Sequence, residues 1–87
     1  FNGPRFETPA EIRLAALSGA TVVGMTGVPE VSLAKEAGLR YAAIALVVNP
    51  AAGISDAPIT MEDINAALKA ASEKVITIID GTIKAFA

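Results

Sequence analysis

Cysteine and histidine are both missing from the 87 residues. Without thiols or imidazoles the segment can hold no disulfide, no thiol nucleophile, no ordinary zinc site and no histidine-dependent triad. A basic cluster is missing too. The 7 Lys and Arg stand against 9 Asp and Glu, for a formal net charge of -2. Binding a phosphate backbone requires gathered Lys and Arg, so nucleic acid is not an expected partner. Long apolar runs are also lacking. The longest, Tyr41 to Val48, is far too short to cross a bilayer, and no membrane partner is expected. No stretch reads as a signal peptide, so a soluble, cytoplasmic protein is the expectation.

What is present is apolar surface in a short chain. Hydrophobic residues make up 53% of the sequence. A domain of this size has a marginal core unless something supplements it. Packing against more protein is therefore expected. The first residues are Phe1-Asn2-Gly3, without an initiator methionine, and a preceding portion is expected as well.

Local signals divide the chain. Thr8-Pro9-Ala10-Glu11 reads as a helix start, with Thr8 as cap, Pro9 in the first turn and Glu11 closing a capping box. That helix should run to about Ser18 and stop at Gly19. "ATVVGM", residues 20–25, reads as a short strand rich in β-branched residues. Pro29 opens a second helix to about Ala37, ended by Gly38. "YAAIALVVN", residues 41–49, is apolar on both faces, as in a buried parallel strand. The order α-β-α-β predicts an α/β fold with a parallel sheet and helices on its faces. A loop, "PAAGISDAP", follows. Thr60 then caps a last helix, whose apolar stripe is Ile64, Leu68, Ala71, Val75, Ile79 and Ile83. Gly81 and the β-branched residues of 75–79 weaken its final turns.

Ligands of open parallel sheets collect beyond the carboxyl ends of the strands. Gly24-Met25-Thr26 and Asn49 fall there. Gly24 and Gly27 let backbone approach a ligand, and Thr26 adds a hydroxyl near a helix start, where anions are favoured. The corner is thus either a turn with a capping threonine or a seat for an anion or hydroxyl-bearing ligand. Asn49 either caps the loop after it or faces a ligand. Phe6 and Glu7 read as a packed aromatic beside a solvated carboxylate. Glu30 serves the dipole of the second helix. Neither a dinucleotide fingerprint nor a phosphate-binding Walker motif is present.

Together "GPRFETPAEI", "VVGMTGVPEVSLAKEAGLRYAAIALVVN" and "AAGISDAPITMEDI" resemble the C-terminal third of the trimeric purine nucleoside phosphorylase and methylthioadenosine phosphorylase family. The resemblance covers nearly the whole chain. It implies that residues 1–87 are the C-terminal portion of a single phosphorylase domain, with phosphate-site serine, arginine and histidine elements upstream. The implied fold is α/β, part of a mixed, largely parallel sheet flanked by helices. The implied assembly is a homotrimer or a dimer of trimers. The implied reaction is phosphorolysis of a purine nucleoside to free base and ribose 1-phosphate, a pentosyl transfer of purine salvage. Inorganic phosphate is the co-substrate, and no cofactor or metal is implied.

Residue by residue, the resemblance implies that Phe6 packs on the purine and Glu7 accepts a hydrogen bond from it. Met25 lies against the ribose, and Thr26 helps hold phosphate. Asn49 contacts N7 and O6, where a donor stabilises the leaving purine. One preorganised donor of this kind contributes about 10²- to 10³-fold in rate.

Asn49 and Glu7 also bear on which purine is taken. Resembling enzymes that prefer 6-aminopurines place carboxylates at the positions of Asn49 and Ala51, and a small hydroxyl residue at that of Glu7. A neutral amide can donate to O6 and N7. A carboxylate suits the N1–H of a 6-oxopurine, and a mismatched buried polar pair costs about 1–3 kcal/mol. A 6-oxopurine preference is therefore expected. Nucleoside-preferring members often carry a histidine near the position of Met61. Met61, with Ile59 and Ile64 nearby, points instead to a 5'-methylthio group, as in methylthioinosine. Alternatively, Met61 is only core. A methylthioadenosine phosphorylase with 6-aminopurine preference and an inactive nucleoside-binding fragment remain the competing readings.

Overall fold

The structure is a computed structural model that describes residues 1–58 and 60–87. Helix α1 spans Pro9–Leu17. Its start is the expected capping box: the Glu11 amide donates to Thr8 Oγ1 at 3.2 Å, and the Thr8 amide donates to Glu11 Oε1 at 2.9 Å. Two otherwise orphaned donors are satisfied reciprocally. Its end is a Schellman motif. Gly19, at φ +90, donates to Ala16, and Ala20 donates to Ala15, each at 3.0 Å. A glycine can take that left-handed turn without a Cβ penalty.

Helix α2 spans Glu30–Glu36, with Pro29 at its N-cap and Ala37 at its C-cap. It ends as α1 does. Gly38, at φ +70, donates to Lys35, and Leu39 donates to Ala34. Glu30 sits in the first turn and Lys35 in the last, each with the sign that the helix dipole favours.

Helix α3 spans Met61–Phe86, and Thr60 Oγ1 accepts from the Asp63 amide at 3.1 Å. The helix passes through Gly81 despite the weak propensities there. The hydroxyls of Thr77 and Thr82 donate to the carbonyls of Glu73 and Ile78, so neither is left to compete for other backbone. The half-buried positions are Ile64, Ala67, Ala71 and Val75, one stripe with spacings of three and four. Leu68, Ile79 and Ile83 are exposed.

The predicted sheet is corrected. Among the described residues the elements are three helices and no strand, so this chain does not form the mixed, largely parallel sheet expected of it. The physical reason lies in what a strand is. Helix hydrogen bonds close within one segment, whereas a strand exists only through a ladder to a neighbour. β-Branched residues and two apolar faces supply propensity and something to bury, but no partner. Tyr41 to Val48 make no hydrogen bond among the described residues. Val22, Tyr41, Ile44 and Val47 are exposed.

The chain divides into two compact units: Phe1–Ala43 with Pro50–Pro58, and Ile44–Asn49 with Ile59–Ala87. The first predicted strand falls wholly in one unit, and the second is divided between them after Ala43. Among the described residues the one buried side chain is Ile12, at 6% exposure.

Candidate functional site

In the first unit, the segment before α1 runs against the Gly24-Met25 corner. The Phe1 nitrogen donates to the Gly24 carbonyl at 3.0 Å. Gly3 lies at φ +65, and a Cβ placed there would stand 2.8 Å from Met25 Sδ. Close approach and a left-handed backbone both require glycine at this position. Two of the predicted motifs, GPRFET and GMTG, are therefore brought together, although more than twenty residues separate them in sequence. Met25 is half-buried in this contact.

Arg5 contributes what the sequence reading missed. Its Nη1 donates to Glu11 Oε1 at 2.7 Å and to the Phe6 carbonyl at 3.1 Å, and Nη2 reaches Glu11 Oε2 at 3.4 Å. Glu11 Oε1 also receives the Thr8 amide. One carboxylate thus joins the cap of α1 to the guanidinium ahead of it. The hydrogen bond from Arg5 and then the Thr8 amide hold the Glu11 carboxyl at about 2, well below its usual range. The guanidinium is pushed up in return, first by its hydrogen bond to Glu11 and then by that carboxylate's charge. The only signal in the sequence was an arginine shortly before a capping box. Between these anchors lie Phe6, exposed at 51%, and Glu7, half-buried.

Thr26 does not cap α2. The N-cap is Pro29, which has no side-chain hydrogen bond, and the entry is made by backbone, with Val31 donating to Gly27 at 3.1 Å. The capping-threonine reading of the corner is thereby removed, and the Thr26 side chain is exposed. The loop after residue 49 also reaches this unit. Gly53, at φ +79, has its Cα so near the start of α1 that a Cβ would meet Pro9 Cβ at 2.8 Å.

In the second unit, Asn49 ends the apolar run at a bend and is half-buried, as are Leu46 and Val48 before it. Met61 is the first residue of α3 and is 62% exposed, so it is not core within this chain. Ile64, one turn on, is half-buried. Ile59, expected beside them, lies outside the described residues. Phe6, Glu7, Met25 and Thr26 thus belong to one unit, and Asn49, Met61 and Ile64 to the other. Among the described residues no three Asp or Glu side chains gather into a group that could hold a metal ion, and no helix is long and apolar enough to cross a membrane.

Comparison with known proteins adds to this geometry. The family model described as "Phosphorylase superfamily" matches residues 1–84. The chain is 49% identical over 82 residues to a protein of Methanothermobacter thermautotrophicus named "Probable S-methyl-5'-thioinosine phosphorylase", covering 94% of this chain and 29% of that relative. It is 60% identical over 62 residues to the "Probable 6-oxopurine nucleoside phosphorylase" of Moorella thermoacetica, covering 71% of this chain and 24% of the relative. It is 56% identical over 73 residues to the "Probable S-methyl-5'-thioinosine phosphorylase" of Pseudomonas syringae pv. tomato, covering 84% and 30%. The chain spans less than a third of the length of each of these relatives. The motifs around Phe6, Met25 and Asn49 all lie inside the matched span, and the chain belongs to the Phosphorylase superfamily.

Proposed function

We propose that the polypeptide carrying this chain catalyses phosphorolysis of purine nucleosides, with a preference for 6-oxopurines. Inorganic phosphate attacks the anomeric carbon, the glycosidic bond breaks, and the purine leaves with the bonding pair. The observation that carries this reading is the 49–60% identity to relatives whose names specify thioinosine and 6-oxopurine substrates. The residue chemistry points the same way. Asn49 brings a carboxamide donor to N7 and O6 of the departing base, and Glu7 accepts from N1–H. An adenine would present an amino donor and a lone pair at those places. Phe6 covers the base, Met25 the ribose, and Thr26 contributes its hydroxyl to phosphate. A phosphate that is already charged needs no general base from these residues, and alignment of the two substrates supplies much of the rate.

The remaining phosphate contacts belong to chain outside residues 1–87, in keeping with the small share of each relative that is matched. The assembly we propose is a trimer, or a dimer of trimers, working in the cytoplasm in purine salvage. At the 5' end, exposed Met61 beside Ile64 offers apolar contact and no hydrogen bond. That favours a methylthio over a hydroxyl substituent.

The test is phosphorolysis of inosine, adenosine, methylthioinosine and methylthioadenosine by the full-length polypeptide. The 6-oxopurines are expected to react faster than their 6-amino counterparts, and methylthioinosine faster than inosine. Faster turnover of the 6-aminopurines would overturn the base assignment. Equal rates with and without the methylthio group would remove the role given to Met61.

A further inference from the structure

The hydrogen bonds around Glu7 share one property. The peptide plane before its Cα contains the Phe6 carbonyl, which accepts from Arg5 Nη1 at 3.1 Å. The plane after its Cα contains the Thr8 amide, which donates to Glu11 Oε1 at 2.9 Å. Arg5 and Glu11 are themselves joined at 2.7 Å and 3.4 Å. The orientations of these two planes define φ and ψ of Glu7. Both are therefore tied to a single guanidinium–carboxylate fork, which the Glu7 side chain joins through its charge on Arg5 and not through a hydrogen bond.

As a source of stability the pair is weak, because the Arg5 side chain is 65% exposed and solvent screens it. What it supplies is direction: Arg5 Nη1 donates to both Glu11 Oε1 and the Phe6 carbonyl, and a planar guanidinium fixes the angle between its donors.

We propose that Arg5 and Glu11 are positioning residues for base recognition: their fork holds the backbone on both sides of Glu7 and so aims its carboxylate at the purine. This rests on the reading of Glu7 as a base contact. Arg5 touches no substrate and acts through Glu7. Selectivity is then the property it governs. A carboxylate free to swing still screens charge, but it no longer distinguishes an N1–H from an N1 lone pair.

The test uses the full-length polypeptide with inosine and adenosine and the variants Arg5→Ala, Arg5→Lys, Glu7→Gln and the Arg5→Ala/Glu7→Gln pair. Arg5→Ala is expected to lower kcat/KM for inosine by roughly 10- to 100-fold, as for a misplaced contact group. It should change adenosine little, so the preference narrows. Arg5→Lys keeps the charge without the fork and falls between. In the Glu7→Gln background, Arg5→Ala should add little, because the two act as one unit. Equal losses for both nucleosides, or a full Arg5 effect without Glu7, would overturn the proposal. If Glu7→Gln abolishes the preference and the Arg5 variants keep it, positioning alone fails. If Glu7→Gln itself keeps it, the base contact fails and the positioning role fails with it. Should Arg5→Ala not fold, Arg5→Lys gives the same discrimination.

Discussion

The turn into α1 and the apolar run 41–49 are opposite cases within one short chain. Residues 5–11 pair polar groups among themselves: a guanidinium, a carboxylate, a hydroxyl, a carbonyl and two amides close on each other within six positions. Among the described residues Tyr41 to Val48 make no hydrogen bond, and Tyr41, Ile44 and Val47 remain exposed. The first region carries its structure in its own sequence, whereas the second carries only a demand for neighbours. Buried backbone must be paired, so a run of this kind acquires its order from whatever covers it. The two proposed polar base contacts sit one in each region, Glu7 in the self-contained turn and Asn49 at the end of the run. Their sensitivities should differ accordingly.

The largest effect is expected at the dependent region. In the full-length polypeptide, Asn49→Ala should lower kcat for a 6-oxopurine nucleoside by about 10²- to 10³-fold, the loss typical of one preorganised donor. Steady-state rates measure this loss, and a melting curve separates it from a loss of folding. Unchanged turnover would remove the carboxamide from the chemistry and leave it a loop residue.

Next comes a change meant to break the self-contained region. Gly53→Ala places a Cβ 2.8 Å from Pro9 Cβ and 3.3 Å from Pro9 Cγ, at φ +79. The left-handed backbone alone costs about 1–2 kcal/mol for an L side chain, and a proline ring cannot swing aside. A loss of about 2–3 kcal/mol is expected on these grounds, read as a fall in melting temperature. Gly24→Ala is the control, because no atom lies within 4 Å of its Cβ position. Similar losses for the two would mean that the Gly53–Pro9 contact does not decide the outcome.

The same contrast explains what could be read from the residues alone. Thr8, Pro9 and Glu11, Gly19, Gly38 and Thr60 marked helix ends because capping acts over three or four residues. Each of those ends is found where its signal lies, to within a residue or two. Strand pairing is not a local property, and β-branched runs at 20–25 and 41–49 revealed apolar faces without revealing any ladder. The approach of Gly3 to Met25 is equally invisible in the sequence, because it joins residues more than twenty positions apart. The sequence leaves open whether Thr26 caps α2, because its distance from that helix depends on how Gly27 to Pro29 are folded. Arg5 was passed over because nothing in "GPRFET" states that its guanidinium folds back toward Glu11.

A smaller effect follows from pH. Glu11 is held at about 2 against an ordinary 4.5, first by Arg5 and then by the Thr8 amide. A depressed carboxyl contributes stability that is fully present above its unfolded value and lost as pH falls through its folded one. The fork should therefore be intact above pH 4.5 and open progressively toward pH 2. The protection of the Thr8 amide, taken relative to an unstructured amide at the same pH, should fall across that window, while the protection of Gly19 and Ala20 in the Schellman turn holds. Glu11→Gln should already exchange quickly at pH 6. An amide that ignores the window would mean that the carboxylate does not hold it.

The smallest effect isolates convergence from charge. Lys84 and Asp80 form a second ion pair, 2.8 Å apart at i,i+4 on α3, with side chains 75% and 60% exposed. Its charges match those of Arg5 and Glu11, but no backbone group outside the helix depends on it. Asp80→Asn should therefore change stability by less than about 0.5 kcal/mol, and high salt should erase even that. A loss comparable to that of Gly53→Ala would show that an exposed charge pair suffices to order this chain, and the special standing of the Arg5 fork would go. A negligible loss, set beside fast Thr8 exchange in Glu11→Gln, would place the difference where the geometry does. One peptide plane is held by Arg5 and the next by Glu11, whereas the Lys84–Asp80 pair holds none.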